Sequence, residues 1–230
     1  MIILAIDTST DFLSVAVRNG ETIFELTAFV PKRHSELLDE FLKIALEKSN
    51  ISASDVDIIA LAIGPGSYTG LRVGVAFVQG FCSVFEKKIV IVDSLYAMAS
   101  KFYPSEIPVA AVYDARAGHI YGAIFGAGEM PEPIMQSSRI KLDEFAKKIS
   151  SYKKILLVGF DAKKFADDLQ KIAGETEIII PQDFRRPSAS VVSAIAEAKA
   201  QVGDFVAPEN LEPKYLHNFV PGKRKRKKLL

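Results

Sequence analysis

One supersecondary pattern occurs twice in this chain, so its fold has to be built from two similar halves. The apolar run Ile2-Ile3-Leu4-Ala5-Ile6 ends at Asp7, and Val109-Ala110-Ala111-Val112-Tyr113 ends at Asp114. Each run is short and continuously apolar, as expected of a strand buried on both faces that delivers an acid at its C-terminal end. In the first half, strands at 12–18 and 21–29 follow, joined by Asn19-Gly20, a dipeptide that tolerates the positive φ of a tight hairpin. Apolar residues Leu37, Leu38, Phe41, Leu42, Ala45 and Leu46 recur at helical spacing between His34 and Lys48. A buried strand at 57–63 is stopped by Gly64-Pro65-Gly66. The spacing then predicts a helix from Gly70 to Phe85, apolar nearly all round, a strand at 88–92 and a helix at 93–103.

The second half repeats the order, with strands at 119–125 and 133–139, a helix at 141–150, a strand at 154–160, a helix at 162–172, a strand at 177–180 and a helix at 189–202. Laid over each other, the halves put Asp114 on Asp7 and Ile120 on Leu13, and each reads βββαβαβα. Agreement of whole patterns is stronger than any single element, because independent errors rarely line up. A mixed sheet that opens with three antiparallel strands is the ribonuclease-H-like lobe. Two such lobes give an α/β architecture like that of the actin, Hsp70 and sugar-kinase (ASKHA) superfamily. The expected partition is a first lobe at 1–104, a second at 105–203 whose last helix can pack back on the first, and an extended tail at 204–230. Prolines 208, 213 and 221 argue for the extended tail.

Composition narrows the function classes. No uncharged stretch reaches the roughly 18 residues of a membrane helix, and the opening residues lack the basic flank of a signal peptide, so the expected location is cytoplasmic. Cys82 is the only cysteine; it allows no internal disulfide and sits in an apolar run, as a core thiol does. Net charge is +1, yet Lys223, Arg224, Lys225, Arg226, Lys227 and Lys228 are six consecutive cations, which leaves an acidic body. Such a run suits sequence-blind contact with a phosphate backbone; its other reading is a solvated end.

The turns after the two acid-terminated strands meet in the cleft of this architecture, which makes Asp7, Ser9, Asp114 and Arg116 candidate cleft residues. Paired acids there can hold Mg²⁺ for phosphoryl transfer from ATP, the use a small-molecule kinase makes of them. Against that, Thr8-Ser9-Thr10 and Ala115-Arg116-Ala117 lack the glycines that let backbone wrap a phosphate, which favours acids that cap their own turns. Gly64-Pro65-Gly66-Ser67-Tyr68-Thr69-Gly70-Leu71-Arg72 has no Gly-Lys-Ser/Thr ending and fails the phosphate-loop pattern. Its glycines at 66, 70 and 74 recur every four residues, which allows close approach of another backbone or helix, inside the lobe or from a partner. His34, His119 and His217 are far apart in sequence and give no local metal site, which argues against a metalloprotease-like glycopeptidase.

Four segments carry a family resemblance: Ile3-Leu4-Ala5-Ile6-Asp7-Thr8-Ser9-Thr10, Arg33-His34-Ser35-Glu36-Leu37-Leu38, the glycine-rich run from Gly64 to Gly74, and Asp114-Ala115-Arg116. In this order they resemble the bacterial TsaB (YeaZ) family, which takes part in making threonylcarbamoyladenosine (t6A) in transfer RNA. Pro213-Lys214-Tyr215-Leu216 is similar to the family's C-terminal Pro-x-Tyr-Leu, but His217 stands where Arg is expected, and the family does not require the basic run. The resemblance implies a noncatalytic scaffold without intrinsic cofactor, with ATP and metal on its partners. Those partners are a TsaD-type catalytic paralogue, a TsaE-type ATPase docked on the pair and, through the complex, tRNA; alone, a homodimer is implied. It places the interface on the two first-lobe helices, here His34, Leu37, Leu38, Phe41, Leu42, Gly70, Arg72 and Gly74.

Overall fold

Strand β1 (Ile2–Asp7) lies at the centre of the first sheet, paired antiparallel to β2 (Phe12–Asn19) and parallel to β4 (Ile58–Gly64). The computed structural model describes residues 1–216. Around β1 the sheet runs β3-β2-β1-β4-β5, with β3 at Thr22–Phe29 and β5 at Lys88–Asp93. Helices α1 (His34–Lys48) and α2 (Tyr68–Phe85) cover one face. The second sheet, β10-β9-β6-β7-β8, has the same topology. Its strands are β6 (Val109–Asp114), β7 (His119–Phe125), β8 (Pro133–Lys141), β9 (Lys154–Val158) and β10 (Glu177–Ile179). Helices α4 (Leu142–Ile149) and α5 (Ala162–Ala173) cover the corresponding face. These are two ribonuclease-H-like lobes, each βββαβαβα.

The remaining helix of each half sits between the sheets. Helix α3 (Ser94–Ser100) sends Leu95, Met98 and Ala99 into the second lobe's core with Val109, Ala111 and Phe125. Helix α6 (Ala189–Gln201) sends Ala189, Val192 and Ala196 onto the first sheet beside Ile3, Ala5, Ala60 and Val90. Small residues on both sides let helix and sheet approach closely.

Several ends differ from the spacing-based reading. Helix α2 starts at Tyr68, ahead of Gly70, because Ser67 Oγ accepts the Gly70 amide at 3.3 Å and caps the helix. Helix α3 stops at Ser100, short of 103; at its start Asp93 accepts the Leu95 and Tyr96 amides, each at 3.0 Å. The Cys82 thiol is buried, and burial raises its pKa.

From Asp204 the chain is a strap over the first lobe. Val206 bridges Ile89, Gln79 donates to the Leu211 carbonyl at 3.2 Å, and the Lys214 amide donates to Ile63 O at 2.9 Å. Leu211 is fully buried against the α2 side of the core, a contribution of about 1.5–3 kcal/mol for a leucine. His217 and the run Lys223 to Lys228 lie outside the described residues. Among the described residues no helix is long and apolar enough to cross a membrane.

Candidate functional site

The turns that follow β1 and β6 face each other across a cleft of about 470 Å³. Ser9, Ser67 and Tyr68 line it from the first lobe, and Asp114, Arg116 and Lys164 from the second. Asp7 does not line it. The residue is 1% exposed, its Oδ1 accepts the Ser9 amide at 2.8 Å, and burial pushes its carboxyl pKa up.

Pleat parity explains the difference between the two acids. Asp7 pairs with Ser14, whose Oγ accepts the Ala189 amide of α6, so Asp7 stands on the α6 face of its sheet. Asp114 pairs with Ile120, which packs with Phe145 of α4 and Leu169 of α5. By face, Tyr113, directed toward α3, is the counterpart of Asp7, and the overlay of Asp114 on Asp7 is corrected by one residue.

The Asp114 carboxylate is fully engaged. Oδ1 accepts the Arg116 amide at 2.7 Å, and Oδ2 accepts Lys164 Nζ at 2.7 Å and Arg116 Nη1 at 3.2 Å. Burial alone would raise its pKa; the Lys164 and Arg116 bonds outweigh that and lower it. Behind it Asp161 Oδ2 accepts the Asp114 amide at 2.8 Å, and burial raises the Asp161 pKa. Lys164 and Asp161 belong to α5 and its entry, about fifty positions downstream, and no local signal in the sequence tied them to Asp114. Asp7 and Asp114 thus do not face each other as a pair in the cleft: Asp7 is buried on the α6 face of its sheet, and Asp114 is ion-paired with Lys164 and Arg116. Among the described residues no group of three or more His, Cys, Asp or Glu is placed to hold a metal ion.

The interface candidates divide sharply. His34 is buried, with Nε2 3.1 Å from the Phe12 carbonyl, a satisfied core histidine. Leu38, Phe41 and Leu42 are buried in the first lobe's core, and only Leu37 among the α1 candidates is half-exposed. Gly70 and Gly74 are buried as well. A Cβ at Gly70 would collide with the Thr8 carbonyl, one at Gly74 would lie 2.6 Å from Thr8 Oγ1, and one at Gly66 would strike Ser9 O. The four-residue glycine spacing thus serves close approach of α2 to the β1–β2 turn inside the lobe, not of a partner helix. Arg72 is exposed; its guanidinium lies 4.1 Å from the Tyr68 ring centroid and donates to Tyr215 Oη at 3.0 Å, fastening the strap to the start of α2.

The outward face of α2 is the one the sequence reading missed. Ala76, Gly80 and Val84 form an exposed ridge at four-residue spacing, with Val84 70% exposed. Phe77, Phe81 and Phe85 run beside it, with successive ring centroids 6.0 and 4.7 Å apart. A Cβ at Gly80 would meet nothing within 4 Å, so this glycine is not needed by the chain's own packing.

A family model described as TsaD, tRNA N6-adenosine threonylcarbamoyltransferase, matches residues 28–203. The tRNA threonylcarbamoyladenosine biosynthesis protein TsaB of Escherichia coli is 30% identical over 97% of this chain and 98% of its own length. The chain belongs to the TsaB proteins of the TsaD family. The TsaB protein of Bacillus subtilis is 23% identical over 95% of this chain and 99% of its own. Among solved structures, YeaZ from Pseudomonas aeruginosa shares the fold with a TM-score of 0.82 at 23% identity, covering 94% of this chain and 99% of that one. The glycine-rich run from Gly64 to Gly74 is, in this chain, the seam between α2 and the β1–β2 turn.

Proposed function

We propose that the chain is a noncatalytic subunit of the machinery that makes threonylcarbamoyladenosine in tRNA, and that it acts by binding a TsaD-type catalytic subunit. The names of the relatives support the pathway. The observation that carries the scaffold reading is the outward α2 face: an apolar ridge with an open glycine, aligned for a partner helix and unfilled by this chain. Its occupant in the complex is the related subunit, with Leu37 and Arg72 at the margins; a TsaE-type ATPase docks on the pair, and in isolation a second copy of this chain covers the face. Burial of Asp7 and ion pairing of Asp114 support leaving ATP and metal chemistry to the partners. The reaction belongs in the cytoplasm, where tRNA is available. Lys223 to Lys228 add sequence-blind contact to tRNA held by the complex.

The test is reconstitution. Purified chain, TsaD and TsaE are mixed with threonylcarbamoyl-adenylate and unmodified tRNA, and modified adenosine is measured by mass spectrometry. Modification should require the chain, survive Asp7→Asn combined with Asp114→Asn, and fall at least tenfold with Val84→Lys, a substitution at an exposed site. Full activity without the chain overturns the reading. Failure of the Asp double variant in an intact complex assigns the cleft a chemical role instead.

A further inference from the structure

Two stretches of chain cross between the sheets: residues 94–108, which include α3, and residues 180–188, which lead from β10 into α6. Hinge motion between lobes requires such crossings to absorb changes in φ and ψ. In this chain they are bonded to each other and to both lobes. Lys101, at the C-terminal end of α3, donates Nζ to the Asp183 carboxylate and carbonyl, each at 3.2 Å, and to the Arg186 carbonyl at 2.5 Å. Arg186 returns to Asp183 Oδ2 at 2.9 Å. Asp183 is held at φ +56°, a strained conformation for a residue with a side chain, and the surrounding bonds maintain it.

The next residues grip both lobes. The Phe184 carbonyl accepts the Gly159 amide at 2.7 Å in the second lobe. The Arg185 guanidinium lies 5.4 Å from the Phe12 ring centroid and 5.3 Å from that of Phe29, both in the first lobe, and 4.9 Å from that of Phe160 in the second. Those rings also meet across the boundary, Phe12 to Phe160 at 6.1 Å. Ser188 Oγ and the Ala189 amide then donate to Glu25 of β3 at 3.1 and 2.8 Å.

We propose that residues 183–189, together with Lys101, form an interlobe lock that holds the cleft at one width whether or not a ligand enters it. A crossing that must rotate to open the cleft would have to break the Lys101 bonds and the Arg185 stack together, since both fall within residues 183–186, while the Glu25 cap anchors the far end of the segment to the first lobe. The fixed cleft keeps the two lobes one rigid body, so a contact on either lobe is felt by the whole molecule. This inference does not rest on the t6A reading: an unchanged interlobe distance in a chain that binds no TsaD leaves the lock standing and removes only that reading.

The experiment places spin labels on Thr69→Cys and Lys163→Cys, one exposed site per lobe, in the full chain with Cys82→Ser, and measures the interlobe distance distribution by pulsed electron resonance. The locked chain should give one narrow distribution that saturating Mg-ATP does not move. Lys101→Met with Arg185→Ala should widen it at least twofold while circular dichroism stays native. Should that pair fail to fold, Arg185→Ala alone, at an exposed position, is read the same way. A shift with Mg-ATP in the parent chain, or a distribution in the folded variant as narrow as the parent's, overturns the lock.

Discussion

The carboxyl groups of Asp7 and Asp114 stand on opposite faces of their sheets, Asp7 beside Ser14 on the α6 side and Asp114 beside Ile120 on the side of α4 and α5. Their titration is therefore opposed: burial raises the pKa of Asp7, and Lys164 with Arg116 lowers that of Asp114 against the effect of burial.

For Asp7 the folded chain binds the proton more tightly than the unfolded chain does. Its contribution to stability is consequently lost as pH rises from the ordinary value of 3.8 through the folded value. Asp7→Asn, which still offers an oxygen to the Ser9 amide, should raise the melting temperature at neutral pH and remove that loss. Melting curves against pH check it, and a lower melting temperature at neutrality would count against the buried-acid account.

Asp114 has the reverse sign: its stabilisation is fully present above 3.8 and is lost as pH falls through its depressed folded value. Asp114→Asn should cost under about 1 kcal/mol at neutral pH, because Arg116 and Lys164 are solvent-exposed partners. The variant's acid limb should also be shallower than the parent's.

Two glycines of one helix should behave in opposite ways. Gly70→Ala drives a Cβ into the Thr8 carbonyl, and backbone cannot yield as a flexible side chain can, so a loss of about 2–3 kcal/mol is expected. Gly80→Ala meets open space and should stabilise the isolated chain by about 1 kcal/mol through helix propensity. Thermal melts separate the two. A partner pull-down should show Gly80→Ala weakening the complex although the chain itself is firmer.

The strap is part of the first lobe's core. Leu211→Ala should cost about 2–5 kcal/mol, as in the packed interior of a domain, whereas Tyr215→Phe should cost only about 0.5–1.5 kcal/mol for one hydrogen bond to Arg72. Urea titration measures both, and equal small losses would show a strap that adds little to the lobe.

Deleting residues 223–230 should leave the melting temperature unchanged and make the salt dependence of tRNA binding by the complex shallower. With six cations removed, the slope of log K against log salt should drop by up to about 4. An unchanged slope would mark the basic run as a solvated end.

By itself the sequence determined the element order, the duplication and the two-lobe class. Those follow from local periodicity, turn residues such as Asn19-Gly20 and the apolar runs, which act over a few residues. Tertiary structure decided which side chains reach the cleft and which surface is free. Strands β1 and β6 are apolar on both faces, so no alternation along them reveals parity, and only cross-strand pairing shows that Asp7 and Asp114 point to opposite faces. Helix α2 is apolar nearly all round for the same reason: one side packs on the β1–β2 turn, one meets the strap, and one is left open. Hydropathy cannot rank apolar sides of a single helix; only the positions of Thr8, Leu211 and the solvent do, and folding alone brings those together with Gly70, Gln79 and Gly80.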